Sequence, residues 1–433
     1  MQTDFSKGRA ILAAVNCPHT AQTGDIPRNS HASRTPDELK ALAEACLMEV
    51  VCIHVQNLPH PDTATYVGSG KVEEIKESLA LYEADTVIFE DTLSPVQMRN
   101  LSRALEAVIL DRTSLILRIF EIRAKTSQAK LQVELAHCQY MLPRLAGMRS
   151  NLSRQGGTSG SLSSRGAGEK KLELDRRHLE NRITELKREL AAIEKTTLTQ
   201  RKKRSRSGLP KVALVGYTNA GKSTLLNGLV SRYGQDKQKT VTARDMLFAT
   251  LETQVRQIRP PEGIPFLLSD TVGFIDKLPH TLVRAFRSTL AEACEADLLL
   301  HVIDFSDPDF TDHIRVTKET LTELSASHIP VLYIYNKADL TKEGFLPRQI
   351  DNRIYMSALN PEHLLFLLDA LRHILQKDHI EADFLIPFTE GGLISYFSKK
   401  ARILSTEYKE EGTLIRVSGP SRILSQYPQY RLP

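Results

Sequence analysis

The stretch Gly216-Tyr217-Thr218-Asn219-Ala220-Gly221-Lys222-Ser223-Thr224 constrains this chain more than any other. It satisfies G-x-x-x-x-G-K-[ST]. Lys211-Val212-Ala213-Leu214-Val215 before it is an apolar run of strand type, and Leu225-Leu226-Asn227-Gly228-Leu229-Val230 after it opens a helix. A strand, a glycine loop and a helix start, in that order, make a phosphate-binding loop. The glycines let the backbone wrap closely around phosphate oxygens, and the helix N-terminus adds N–H donors and a positive dipole end. In this reading Lys222 reaches the β- and γ-phosphates, and Ser223 ligates Mg²⁺. The fold class is α/β, with the loop at a strand end.

The base is specified further along. Asn336-Lys337-Ala338-Asp339 closes the apolar run Val331-Leu332-Tyr333-Ile334-Tyr335. A carboxylate at Asp339 accepts two hydrogen bonds from guanine N1 and N2, whereas adenine would leave a buried carboxylate unpaired, at a cost of about a few kcal/mol. Asn336 is a donor for guanine N7, and the Lys337 stem covers the base. Ser357-Ala358-Leu359 follows another short apolar piece, and the Ala358 N–H is a donor for guanine O6. In chain order after a phosphate loop, this set reads as a GTP/GDP site.

Between the two lies Leu267-Leu268-Ser269-Asp270-Thr271-Val272-Gly273-Phe274. Asp270, ending a strand, fits the carboxylate that holds Mg²⁺ through water, and the Gly273 N–H would sense the γ-phosphate. Thr250 is a candidate to close over the metal, with Thr242 and Thr240 as competitors. Lys222, Thr250 and Gly273 are thus the expected catalytic set, and Ser223, Thr250 and Asp270 the expected metal set. Phe274 stands where Ras-like enzymes place the glutamine that orients the attacking water. It has no polar side-chain atom, so slow intrinsic hydrolysis is expected. Asp304 and Arg287 are polar and nearby in sequence, but neither is assigned to the water.

A chain of 433 residues holds two or three domains. The five cysteines are scattered, without metal or disulfide spacing, and no window approaches the apolar length of a membrane span. A cytoplasmic monomer is expected, compatible with loose membrane association but not with stable insertion.

Alternating patterns of helix and strand from about Thr35 to Leu117 imply a small parallel α/β layer. The residues before Thr35 show little periodicity and read as an irregular lead-in. Gly68-Ser69-Gly70-Lys71 does not satisfy the phosphate-loop pattern and reads as a glycine turn opening a helix. One long helix is expected over about 118–145 and a second over about 171–197. In the second, Leu172, Leu179, Leu186 and Ile193 recur every seventh residue, with Ile183 and Leu190 between them. That is a coiled-coil seam, whose expected partner is the first helix in an antiparallel hairpin.

A Gly/Ser/Arg-rich loop over 149–169 is expected to join the two helices. The net charge is +5, but 149–211 alone carries seventeen Lys or Arg against seven Asp or Glu, leaving the remainder at −5. A basic excess confined to one segment suits contact with a phosphate backbone. Arg149, Arg154, Arg165, Lys170 and Lys171 are the RNA-contact candidates. The expected domains are 1–207 (α/β layer plus hairpin at about 118–200), 208–378 (G domain) and 379–433 (a small α/β appendage).

Several motifs together resemble the HflX family of translational GTPases, in the Obg-HflX branch. They include Val67-Gly68-Ser69-Gly70-Lys71-Val72-Glu73-Glu74, Leu110-Asp111-Arg112-Thr113, Leu172-Glu173-Leu174-Asp175-Arg176-Arg177 and Asp270-Thr271-Val272-Gly273-Phe274 with Leu278-Pro279-His280. The resemblance implies an N-terminal domain ending in a helical hairpin, a G domain and a small C-terminal domain. It also implies binding to the large ribosomal subunit with the hairpin loop near the peptidyl-transferase centre, and GTP-dependent splitting or rescue of ribosomes. A different class of function, an RNA-binding assembly or regulatory switch gated by GTP, fits the same residues. The chain departs from the family pattern at Ala167 and Lys170-Lys171, where Pro and Thr-Gln are usual. Glu252-Thr253-Gln254-Val255-Arg256 stands where Asp-Pro-Thr-Thr-Arg is usual.

Overall fold

The computed structural model describes residues 8–17, 35–152, 162–205, 209–234, 247–248, 253–277, 292–341, 345–376 and 379–432, with side chains at 35, 146–152, 162–172, 197–205, 379, 399, 402, 420 and 422 outside the description. Contacts divide the chain into two compact units. The first comprises Met1–Ile193 with Asp245–Leu251 and Lys277–Arg287, and the second comprises Glu194–Arg244, Glu252–Asp276 and Ser288–Pro433.

The first unit is built on a four-stranded parallel sheet of β1 (Arg9–Asn16), β2 (Glu49–Asn57), β3 (Thr86–Phe89) and β4 (Val108–Asp111), in the order β2-β1-β3-β4. Here the expected irregular lead-in is corrected. Residues 9–16 form an inner strand, with Ala10 to Ala13 fully buried. A strand covered on both faces is a continuous apolar run and shows no alternation for a periodicity search to find. Helices α1 (Thr35–Ala45), α2 (Ser69–Leu81) and α3 (Pro95–Leu105) connect the strands. Gly68 is the N-cap of α2, as the sequence implied, and Ser94 and Gln97 form a capping box on α3.

The single helix expected from 118 to 145 is two: α4 (Arg112–Arg123) and α5 (Ser127–Leu152). The break is chemical, because Thr126 Oγ1 accepts from the Ala129 N–H at 3.2 Å and caps the second helix. Helix α6 (Leu162–Ser205) also starts before the expected position, so the joining loop is shorter than 149–169. No proline interrupts 162–205, and extending an established helix adds a hydrogen bond for each residue fixed. Leu135, Cys138, Ile183 and Leu186 form the buried seam between α5 and α6, flanked by Leu131, Leu142, Leu179 and Leu190. Arg182 grips Glu134 across the seam at 2.7 and 2.9 Å.

Asp111 ties the helical pair to the sheet. It is fully buried at the end of β4, caps α4 through Ser114 N, and accepts from Leu93 N, Tyr140 Oη and Arg144 Nη2 at 3.1, 2.7 and 3.0 Å.

The second unit holds a seven-stranded sheet, β10-β11-β9-β8-β5-β7-β6. Its strands are β5 (Lys211–Val215), β6 (Gln254–Ile258), β7 (Phe266–Asp270), β8 (Leu298–Asp304), β9 (Val331–Asn336), β10 (Arg348–Ile350) and β11 (Arg353–Tyr355). Only the edge strands β6 and β10 run antiparallel to their neighbours. Helix α7 (Lys222–Tyr233) packs with α9 (Pro361–Leu375) on a core that includes Leu225, Leu229, Leu300, Ile334 and Leu367, and α8 (Phe310–Glu323) follows β8. The chain ends in an antiparallel sheet, β12 (His379–Ile386), β14 (Gly412–Pro420) and β13 (Arg402–Lys409), with α10 (Gly392–Lys400) closing a core of Phe384, Phe397, Ile415 and Val417.

Candidate guanine-nucleotide site

Strands β5, β7, β8, β9 and β11 run parallel, and the loops leaving β5, β7, β9 and β11 carry the predicted motifs. This is where an open α/β sheet places a ligand site. The phosphate loop turns from β5 into α7. Gly221 has φ +93°, and a Cβ there would overlap the Asn336 amide nitrogen, so only glycine fits. Lys222 is buried and donates to the Gly216 and Tyr217 carbonyls at 3.0 and 2.6 Å. Burial pulls its pKa down to about 8, against the pull of Asp270. A phosphate oxygen at the same ammonium would push it back up. Ser223 Oγ donates to Asp270 Oδ2 at 2.7 Å, which places the two predicted metal residues together, with Asp270 fully buried. Thr271 Oγ1 donates to the Leu214 carbonyl at 2.6 Å and fixes β7 against β5.

Val272, Gly273 and Phe274 are fastened to the phosphate loop. Thr218 N donates to the Phe274 carbonyl at 2.7 Å, and Phe274 N donates to the Gly216 carbonyl at 3.1 Å. A Cβ on Gly273 would come within 2.9 Å of Thr218 Cα, so Gly273 is glycine because the loops approach closely. The Phe274 ring is 2% exposed and belongs to the core. Tyr217 stacks on His313 at 3.7 Å, and its hydroxyl accepts from Asp276 N at 2.9 Å. Asn219 is exposed, with φ +60°. Thr224 is half-buried in the first turn of α7.

The base-recognition segments meet at Asn336, which is buried. Its Nδ2 donates to the Ala220 carbonyl at 2.9 Å, and its Oδ1 accepts from Ala358 N at 2.8 Å. Sequence reasoning gave both groups to the base and missed this brace. It also missed His363, whose Nδ1 accepts from Ser357 N at 2.9 Å and anchors the same loop. The buried His363 follows the Asn360 N-cap by one turn, a spacing that could have flagged it. Lys337 pairs with Asp304 at 2.8 Å, so Asp304 serves the base loop. Asp339 is exposed, in contrast to the buried carboxylate expected, and Leu359 is exposed as well.

Thr250 and Arg154 lie outside the described residues. Arg149 falls within α5 and Arg165, Lys170 and Lys171 within α6, with their side chains outside the description.

Three family models match in succession: a GTP-binding GTPase N-terminal region over 33–121, a GTP-binding GTPase middle region over 123–204, and a 50S ribosome-binding GTPase over 211–337. The GTPase HflX of Caldanaerobacter subterraneus subsp. tengcongensis is 43% identical over 410 residues, covering 95% of this chain and 90% of that protein. This chain belongs to the HflX GTPase family. The HflX of Alkalihalophilus pseudofirmus is 44% identical over 88% of each chain. Among solved structures, a GTP-binding protein of Sulfolobus solfataricus in complex with GDP is 24% identical, covering 85% of this chain and 99% of that one, with a TM-score of 0.44. As an HflX protein, the chain is a P-loop GTP hydrolase. No helix among the described residues is long and apolar enough to cross a membrane.

Proposed function

We propose that this HflX GTPase binds the large ribosomal subunit and uses GTP to dissociate or rescue stalled or idle ribosomes, with slow intrinsic hydrolysis that the ribosome stimulates. The observation that carries this reading is Phe274. The residue after the γ-phosphate-sensing glycine is apolar and buried in the core, so its side chain cannot aim water. An enzyme of this kind needs a partner to complete its reaction centre. The match to a 50S ribosome-binding GTPase and the two-helix extension, with its basic excess, favour ribosomal RNA as that partner.

The residues divide the work. Lys222 and the backbone of 216–224 hold the phosphates. Asp339 and Lys337 select guanine, with Asn336 bracing the loops around it. Ser223 and Asp270 are hard oxygen donors 2.7 Å apart, which suits Mg²⁺, with Thr250 as a further candidate ligand. Bound there, Mg²⁺ would neutralise phosphate charge. The reading is tested by GTP turnover with and without purified large subunits. Stimulation of about tenfold or more supports it, and equal rates overturn it. Deleting 150–168 should abolish subunit splitting while basal turnover persists.

A further inference from the structure

Tyr217 is the second residue of the phosphate loop, a place that the G-x-x-x-x-G-K pattern leaves open to any side chain. Its ring is nonetheless only 7% exposed. It lies against the His313 ring of α8, with centroids 3.7 Å apart and planes 11° from parallel. Its hydroxyl accepts the Asp276 N–H at 2.9 Å, two residues beyond Phe274 and three beyond Gly273. A buried tyrosine needs a partner for its hydroxyl. Here the partner is the backbone that carries the expected γ-phosphate sensor.

The main chain of the loop grips the same segment. Tyr217 and Phe274 form a parallel bridge, in which Thr218 N donates to the Phe274 carbonyl at 2.7 Å and Phe274 N to the Gly216 carbonyl at 3.1 Å. Those bonds bring Gly273 beside Lys222, so close that a Cβ on it would lie 3.1 Å from the ammonium. The Tyr217 hydroxyl adds a second hold at Asp276. A segment fixed at two points has less freedom left to lose when a γ-phosphate engages it.

His313 is fixed in its turn. Near the start of α8 its N–H donates to the Asp309 carbonyl at 3.2 Å, its carbonyl accepts from Thr317 Oγ1 at 2.8 Å, and its Nδ1 lies 3.8 Å from Asp307 Oδ2. The connection from β8 into α8 thus reaches both motifs of the site. Asp304 at its start pairs with Lys337 of the base loop, and His313 at its far end backs the phosphate loop. Without the stacked ring, Tyr217 could turn about its side-chain bonds and carry its hydroxyl away from Asp276.

We propose that Tyr217 and His313 are positioning residues for the γ-phosphate. The His313 ring sets the plane of the Tyr217 ring, and the Tyr217 hydroxyl holds Asp276, so that the Gly273 N–H is presented to the third phosphate. GDP has no group there. The pair therefore governs the preference for GTP over GDP and the rate of hydrolysis, and leaves the affinity for GDP alone. The proposal rests on the reading of Gly273 as the sensor. It requires no ribosome and no residue of the first unit.

The test titrates the full-length protein with GDP and with the β,γ-imido analogue of GTP, and measures GTP turnover at saturation without ribosomes. Tyr217→Phe keeps the stack and removes the hydroxyl. His313→Ala keeps the hydroxyl and removes the stack. Each should weaken the analogue at least about threefold, hold GDP within about twofold and lower kcat at least about threefold. His313→Phe returns a ring to the face of Tyr217 and should bring all three values within about twofold of wild type. Because both residues act through Asp276, the double variant Tyr217→Phe with His313→Ala should do no more than the stronger single one. A purely structural role would lower Tm and leave the ratio of the two affinities unchanged. That result, equal losses for both nucleotides, or a rise in kcat overturns the proposal. Should His313→Ala fail to fold, Tyr217→Phe decides. Asn336→Ala separates the assignments. If it weakens both nucleotides while the Tyr217 and His313 variants match wild type, the nucleotide site stands and only this proposal falls. If it binds both as wild type does, the site assignment fails and takes this proposal with it.

Discussion

The side-chain amide of Asn336 donates to the backbone carbonyl of Ala220 at 2.9 Å, joining the base-recognition strand end to the phosphate loop. Its other atom accepts from Ala358, so one buried side chain braces three segments of the site. Replacement by alanine leaves a buried carbonyl and a buried N–H without their partner, each costing about 1–3 kcal/mol. Asn336→Ala should weaken both GTP and GDP by about 10- to 100-fold, measured by equilibrium titration with a fluorescent nucleotide.

Asp339→Asn should act on a different property. An amide in place of the carboxylate offers donors to the base edge, which clash with the N–H groups of guanine and suit the C2 carbonyl of xanthine. GTP affinity should fall by about 100-fold and that for xanthosine triphosphate should rise, read in the same titration.

Phe274 and Lys222 should separate stability from chemistry. Phe274→Gln places an amide in the core and should cost about 2–4 kcal/mol of stability without abolishing turnover per folded molecule. Lys222→Ala removes the buried ammonium and should lower turnover by at least about 100-fold. Urea denaturation and GTP hydrolysis, run on both variants, check the pair.

Asp111 joins the sheet, the segment that leads into α3, α4 and α5 through one buried carboxylate. Asp111→Ala strands the Arg144 charge and the Tyr140 hydroxyl and should cost about 3–5 kcal/mol. Tyr140→Phe removes a single hydrogen bond and should cost about 1–2 kcal/mol. The expected order of chemical-denaturation midpoints is wild type, Tyr140→Phe, then Asp111→Ala.

His301 should make the protein sensitive to acid. It is buried on β8, its Nδ1 has no hydrogen-bond partner among the described residues, and burial, with help from Lys318 and Lys222, depresses its pKa from 6.5 to about 3. The unfolded chain protonates this histidine near 6.5 while the folded chain keeps it neutral. Its contribution is therefore complete above that pH and declines as pH falls toward about 3. His301→Phe removes this proton uptake, so Tm should fall less between about pH 7 and pH 4 than in the wild type.

The local motifs were legible in the sequence because each encodes its own geometry. The Gly216–Thr224 loop, Asp270, the Asn336–Asp339 run, the α6 seam and the cap of α2 all follow from residue type and spacing along one short stretch. The adjacent strand β1 was not legible, because Arg9–Asn16 alternates nothing and its partners Glu49–Asn57 and Thr86–Phe89 are far along the chain. The break before α5 left a signal in Thr126, which a long apolar pattern masked.

Other features were settled only by folding. Asn336 acts as a brace because Ala220 and Ala358, distant in sequence, arrive at its two ends. Phe274 is core because its backbone is zipped to Gly216 and Thr218. A sequence fixes which groups are available and their local periodicity. Which distant group each one meets depends on burial and loop closure throughout the chain, and this decided the braces around the candidate nucleotide site.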